Sequence, residues 1–124
     1  MIDWDRFDRD GFLVLGRVCE PALLAAIQQR IDDIMLQRIA YPDLYMQVCP
    51  SSSGSWANSG DTARHPSTLA YRKIMGLEVD DLFREYMKQP IFHEAATRAC
   101  GQDVAVVRAM FFNKPKERGK IIDW

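Results

Sequence analysis

The clearest pattern along the chain is a series of apolar residues at helical spacing after Pro21. Proline is favoured in the first turn of a helix, because its missing N–H would have no partner there. Polar side chains fill the opposite face, so we expect an amphipathic helix of about five turns packed on an apolar surface. It should end before Tyr41-Pro42, since the residue before a proline is excluded from the α region. Its apolar positions are Leu24, Ile27, Ile31, Ile34 and Ile39.

Two more helices are predicted in the second half of the chain. The first runs from Val79 to Lys88, and Pro90 begins the second, which should end at Gly101 in a left-handed cap. The first helix places Leu82, Phe83, Tyr86 and Met87 on one side. The second should bury Ile91, Phe92, Ala95, Ala96 and Ala99.

Two apolar runs have the composition of β-strands. Phe12–Leu15 follows Asp10-Gly11 and is closed by Gly16, which predicts a short buried strand. Residues 104–112 form a longer run that is rich in β-branched and aromatic residues. We expect this run to be a central strand with both faces largely covered.

Between these elements, residues 50–61 favour neither helix nor strand for long, because serine, glycine and asparagine dominate them. Trp56 is either a lid or substrate contact, or the side chain that anchors this loop. Apolar residues resume at Leu69, so the loop is not a domain linker. Residues 1–124 are therefore predicted to be one domain without an internal boundary.

Composition and charge narrow the classes of partner. The chain has 124 residues, of which 48% are apolar, and its formal net charge is −1. This balance gives no reason to expect nucleic acid or a membrane as a partner, and no signal peptide or membrane span is evident. Three cysteines without a pairing motif fit reduced thiols in a cytoplasmic protein. A thiol-based redox protein is a competing hypothesis that rests on these cysteines alone.

Common catalytic motifs are absent from the sequence: there is no glycine-rich phosphate loop, no HExxH and no GxSxG. The two histidines, His65 and His93, are far apart, and neither has a carboxylate at the His-x-Asp spacing. We expect them to be ordinary loop and helix-surface residues rather than metal ligands.

Two segments nevertheless resemble one enzyme family. A hydrophobic strand that ends in Asn113-Lys114-Pro115, and an opening segment with Asp10-Gly11-Phe12, are similar to the phytanoyl-CoA dioxygenase family of iron(II)/2-oxoglutarate-dependent oxygenases. The resemblance extends from about Phe7 to Trp124. It implies an α+β fold, a double-stranded β-helix or jelly-roll-like barrel with helices outside it. This chain would supply the N-terminal helices and the first strands. Because an incomplete barrel exposes an unpaired edge, the 124 residues are expected to be part of a longer protein.

The resemblance also implies a reaction. In the family, two histidines and one carboxylate hold iron(II), and 2-oxoglutarate and O₂ complete its coordination. The first His and the Asp should follow Trp124, so we expect no catalytic residue, no metal ligand and no bound iron in this chain; Glu117 and Asp123 have no histidine at the required spacing. The full-length protein should hydroxylate a small organic substrate, although some family members halogenate instead, and this chain alone should be inactive. A non-catalytic binding or interaction domain of degenerate or truncated oxygenase fold is the alternative.

By resemblance, Lys73 and Met110 are the candidate cosubstrate-binding residues. Some family members use a lysine upstream of the Asn-Lys-Pro segment to contact 2-oxoglutarate, which Lys73 matches unless Arg72 takes that place. A solvated Lys73 is the competing interpretation. Strand alternation puts Met110 on the same face as Arg108 and Phe112, and it would line the cosubstrate pocket if that face is the interior. Plain core packing is the competing interpretation for Met110. Asn113 and Lys114 should fix the turn after the strand.

Overall fold

The computed structural model describes residues 2–41, 44–48, 56–58 and 71–114. This part of the chain contains α-helices, short strands and one 3-10 helix. The helices are α1 (Trp4–Asp10), α2 (Pro21–Met35), α3 (Asp81–Met87) and α4 (Pro90–Cys100), and the 3-10 helix is Leu77–Val79. The strands are β1 (Tyr45–Val48), β2 (Trp56–Asn58), β3 (Tyr71–Met75) and β4 (Met110–Phe112).

The strands form one four-stranded antiparallel sheet in the order β2-β1-β3-β4. The ladder between β1 and β3 shifts register between Gln47 and Val48. Gln47 is opposite Lys73 and Val48 is opposite Tyr71, so β3 contains one extra residue, Arg72, at this point. Such a bulge interrupts the alternation of side chains along a strand. As a result, Tyr71 and Ile74 are both fully buried although they are three positions apart.

The core lies between one face of this sheet and the apolar side of α2. Ile27, Ile31 and Ile34 are buried, as the helical spacing predicts, and they pack with Met46 and Ile74 of the sheet. Each such side chain contributes about 1.5–3 kcal/mol when fully buried. Phe83 of α3 and Leu77 of the 3-10 helix close the same core.

The predicted helix after Pro21 is confirmed, and proline occupies its first turn. The helix ends at Met35 and is therefore shorter than the predicted five turns. Gln37 has a φ of 53°, in the left-handed region, which a right-handed helix cannot continue through. Ile39 still packs against the core, but from the connection after α2. Leu24, the first of the predicted apolar positions, is 48% exposed.

The first residues of the chain differ from the prediction. Residues 12–18 form no regular structure, and Phe12 and Val14 are exposed, so the predicted buried strand Phe12–Leu15 is wrong. A β-strand requires a hydrogen-bonded neighbour, and within the described ranges these residues pair with no other strand. Helix α1 precedes them and was not predicted. Asp3 caps it by accepting a hydrogen bond from the Arg6 N–H at 3.0 Å, and Gly11 ends it in the left-handed conformation.

Both helices of the second half are confirmed, with corrections to their ends and burial. The first begins at Asp81 rather than Val79, because the Asp80 side chain caps it and Leu77–Val79 form the 3-10 helix instead. The second spans Pro90–Cys100, but none of its residues is fully buried, and Ala99 is exposed. Gly101 has a positive φ of 99° with an extended ψ of −174°, so the predicted left-handed cap is wrong in its ψ.

The strand predicted over residues 104–112 is mostly wrong. Only Met110–Phe112 pair with β3, and this strand is the last in the sheet rather than a central one. Val106 and Val107 are exposed, the latter to 89%. The ladder stops at Met110, because beyond it the Ala109 backbone bonds instead to the Glu78 carboxylate and the Leu77 N–H of the 3-10 helix.

Mixed helices and an antiparallel sheet agree with the predicted α+β class. Completion of a barrel and the single-domain organisation over residues 1–124 remain predictions. The interpretation of residues 50–61 is only partly addressed, because the backbone of Trp56–Asn58 forms β2 and the remainder lies outside the described residues. No helix in the described part of the chain has the length and apolar character needed to cross a membrane.

A buried carboxylate joins α2 to α3. Asp80 is 2% exposed, and its Oδ2 accepts hydrogen bonds from the Tyr41 hydroxyl and from Arg30 Nη1, the latter at 3.0 Å. Arg30 Nη1 also donates to the Tyr41 oxygen at 2.7 Å. The other carboxylate oxygen of Asp80 accepts the Leu82 N–H at 2.8 Å, which caps α3. A charge this deeply buried requires such partners.

Replacing the Asp80 carboxylate should therefore destabilise the fold. Asp80→Asn retains a side chain that can cap α3, but it leaves the Arg30 guanidinium, whose side chain is 37% exposed, without its ion pair. We expect a loss of about 1–3 kcal/mol in the free energy of unfolding, measured by urea denaturation at neutral pH. Asp81→Asn is the matched control, because the Asp81 side chain is 92% exposed. Equal effects of the two variants would contradict a stabilising role for the buried pair.

The same cluster predicts a loss of stability at alkaline pH. The pKa of Tyr41 is raised above its ordinary value of 10.0. Burial is the larger cause, and the adjacent Asp80 carboxylate is the second. The folded state therefore holds this proton more tightly than the unfolded state, and the resulting stabilisation is complete below pH 10 and declines as the pH rises through the folded pKa. We expect the alkaline decline in unfolding free energy to be shallower in Tyr41→Phe. Tyr45→Phe, which changes an exposed side chain outside the cluster, should retain the wild-type decline.

Candidate functional site

The sheet has two different faces, and the predicted site residues lie on the face opposite the core. Residues at directly opposed positions of antiparallel strands share a face. Met46, Ile74 and Phe111 therefore face α2 and the core. The other face, which we call the Lys73 face, consists of Tyr45, Gln47, Lys73, Met75, Met110 and Phe112.

Lys73 lies near the middle of the Lys73 face. Its directly opposed neighbours are Gln47 on β1 and Phe112 on β4, both uncharged. The Lys73 Nζ lies 4.8 Å from the centroid of the Phe112 ring, within the range of a cation–π contact. Arg72, the alternative cation, occupies the bulge, and its carbonyl accepts the Asn113 N–H at 2.8 Å.

Met110 lies on the same face, one pair along the sheet from Lys73. It is opposed to Met75 and is 44% exposed, so it does not fill the core. Ala109 and Phe111, the residues on either side, pack against the core instead. The structure thus brings Lys73 and Met110 together on adjacent strands. Their roles in cosubstrate binding remain predictions.

The end of β4 is held by Asn113. Its side-chain amide donates to the Tyr71 carbonyl at 3.0 Å, and its backbone N–H bonds to β3 as well. The turn that Asn113 and Lys114 are predicted to fix lies outside the described residues, so this prediction is tested only as far as the bonds of Asn113 to β3. These contacts hold Phe112 opposite Lys73, because they prevent β4 from sliding along β3.

Among the described residues, one further cation and one carboxylate lie near the start of β4. Arg108 precedes β4 and places its Nη1 4.0 Å from the Met75 sulfur. The Glu78 carboxylate is occupied at the start of β4, where it accepts the Ala109 N–H at 2.9 Å. An ammonium beside methionine and phenylalanine side chains suits one carboxylate of a small anion, since charge pairing strengthens where water is displaced.

The His, Cys, Asp and Glu side chains are the candidate metal ligands of the chain. Within the ranges that the structure describes, no group of three or more His, Cys, Asp or Glu side chains is arranged to hold a metal ion. His93 is an exposed residue of α4, and Cys19 and Cys100 are free thiols. His65, Cys49, Glu117 and Asp123 lie outside the described residues.

Phe112 is the residue of the site that the sequence did not single out. Strand alternation already placed it on the same face as Met110. Its position directly opposite Lys73 depends on the register between β3 and β4, which a single sequence does not reveal.

Comparison with known proteins supplies the family. No curated protein and no solved structure matches the chain. The family model described as phytanoyl-CoA dioxygenase (PhyH) matches residues 7–124, nearly the whole chain. This is the range over which the Asp-Gly-Phe and Asn-Lys-Pro segments lie. The chain belongs to the phytanoyl-CoA dioxygenase family.

Proposed function

We propose that the protein is an iron(II)/2-oxoglutarate-dependent dioxygenase that hydroxylates a small organic substrate, and that Lys73 binds its cosubstrate. Family membership supports an oxygenase activity. The observation that carries the specific proposal is the position of Lys73 and Met110 together on the sheet face opposite α2. In a barrel with its helices outside, that face is the interior.

The residues of the Lys73 face fit the cosubstrate in part. Lys73 supplies a cation for the carboxylate of 2-oxoglutarate that is remote from the metal, and Met75 and Met110 supply apolar surface beside it. When bound, 2-oxoglutarate would supply the reducing equivalents for hydroxylation. The described residues do not fit iron itself, so its ligands would come from elsewhere in the protein.

The chain's own residues bind and orient the cosubstrate in this proposal. The Lys73 ammonium pairs with the carboxylate, and the β1 and β4 neighbours fix the strand that carries it. The methionine side chains cover the carbon chain of the cosubstrate and displace water, which strengthens the charge pair. Orientation of this kind contributes to rate by holding reactants at the geometry of reaction.

A non-catalytic binding domain is the second candidate, and one observation favours it. A groove of about 640 Å³ runs between α4 and the segment after it, lined by Phe92, Ala96, Val104 and Val106 among others. Exposed apolar surface of this kind is typical of binding sites. Succinate formation from 2-oxoglutarate by the iron-loaded protein distinguishes the candidates, because a binding domain would form none.

Loss of the Lys73 charge should weaken binding of 2-oxoglutarate. A hydrogen bond to a charged group contributes more to the free energy of binding than a neutral one does. Lys73→Met should therefore raise the KM for 2-oxoglutarate about ten- to a hundredfold. The KM is measured from succinate formation at saturating iron(II) and substrate. Arg72→Met is the matched control, because Arg72 is the adjacent cation in the bulge, and its KM should stay near that of the wild type. The reverse order of effects would assign the cosubstrate to Arg72.

A negative charge at position 110 should also weaken binding of 2-oxoglutarate. Met110→Asp would place a carboxylate on the Lys73 face, where it repels the cosubstrate and competes for the Lys73 ammonium. We expect the KM for 2-oxoglutarate to rise by about threefold or more, since part of the effect is screened by solvent. Val107→Asp adds the same charge at a position that is 89% exposed and outside β4, so its KM should not change. Equal increases would show that Met110 does not line the cosubstrate site.

A further inference from the structure

Phe112 is one of three exposed apolar residues on the Lys73 face, together with Tyr45 and Met110. It is 48% exposed and lies directly opposite Lys73. The neighbouring aromatic residue of β4, Phe111, packs against the core on the opposite face. The Lys73 ammonium lies 4.8 Å from the centroid of the Phe112 ring.

On the basis of the function proposed above, we propose that Phe112 is a positioning residue for the cosubstrate: its ring holds the Lys73 ammonium in place to receive the carboxylate of 2-oxoglutarate. A lysine side chain is long and flexible, and its ordering on binding opposes affinity. A contact that orders it beforehand removes part of that cost from the binding step.

An aromatic ring suits this task because it orients a cation without neutralising it. The negative face of the ring attracts the ammonium, yet it carries no formal charge. An ammonium has three N–H donors, and a ring on one side leaves donors for a carboxylate. An acidic residue at position 112 would form an ion pair with Lys73 and compete with the ligand. Gln47, the other directly opposed neighbour, is also uncharged.

The register makes this contact a fixed property of the sheet. Lys73 and Phe112 are directly opposed, and the flanking pairs Ile74–Phe111 and Met75–Met110 continue the ladder. The two hydrogen bonds of Asn113 to Tyr71 and Arg72 close it at the other end. A ring at position 112 therefore stays beside the side chain at position 73 whenever β3 and β4 are paired.

The test is the affinity of the intact, iron(II)-loaded protein for 2-oxoglutarate, measured by anaerobic calorimetric titration without turnover. Phe112→Leu keeps an apolar side chain but removes the ring. We expect its dissociation constant to rise about two- to tenfold, which corresponds to ordering one lysine side chain. Phe112→Tyr retains a ring and should bind as the wild type does. Equal affinities of Phe112→Leu and the wild type would overturn the proposal, as would a Phe112→Tyr variant as weak as Phe112→Leu.

Two further measurements separate positioning from structural damage and from failure of the proposed function. Phe111→Leu alters the neighbouring ring on the core face and should lower thermal stability without weakening 2-oxoglutarate binding. In a Lys73→Met background, Phe112→Leu should have no further effect, because there is no ammonium to position. If Lys73→Met weakens binding and Phe112→Leu does not, the role of Phe112 alone is wrong. If the wild type binds no 2-oxoglutarate, or Lys73→Met binds it normally, the proposed cosubstrate site is wrong as well.

Discussion

The register of β3 against its two neighbours is the constraint on which the rest of the structure depends. Side chains alternate along a strand, so a slip of one residue would exchange the two faces of the sheet. In the observed register, Ile74 is fully buried between Met46 and Phe111 and joins the core under α2. Lys73 is thereby placed on the opposite face. Burial of Ile74 and the position of Lys73 on the other face are two consequences of one pairing.

The segment that follows β3, residues 77–80, contacts the core, β4 and α2. Leu77 enters the core, the Glu78 carboxylate accepts the Ala109 N–H at the start of β4, and Asp80 joins α2 to α3. Within this short segment, the apolar side chain of Leu77 and the charged side chain of Asp80 are both buried. A buried carboxylate is tolerated only where donors meet it, so the Arg30 guanidinium and the Tyr41 hydroxyl fix the position of α2 relative to α3. The core side of the sheet is therefore determined by both apolar packing and charge.

The two faces of the sheet consequently serve different purposes. The core face supplies the stability that permits the second face to carry a cation among exposed apolar side chains. Apolar groups on an exposed sheet face are costly in water, and binding a ligand that covers them recovers that cost. An ammonium among methionine and phenylalanine side chains is also a stronger partner for a carboxylate once water is displaced. This combination is the physical basis of the proposal that the Lys73 face, rather than the α4 groove, binds the cosubstrate.

The sequence alone determined the local features of this protein. Helical spacing predicted α2 with its buried isoleucines, the prolines predicted the starts of α2 and α4, and the Asp-Gly-Phe and Asn-Lys-Pro segments indicated the family. It failed where pairing decides the outcome. Phe12–Leu15 and residues 104–109 have the composition of strands, yet within the described ranges they lie outside every ladder, because composition does not specify a hydrogen-bonding partner. The contact between Lys73 and Phe112 was likewise decided by the tertiary structure alone. It joins residues far apart in the chain through a register that depends on the contacts of Asn113 and the burial of Ile74.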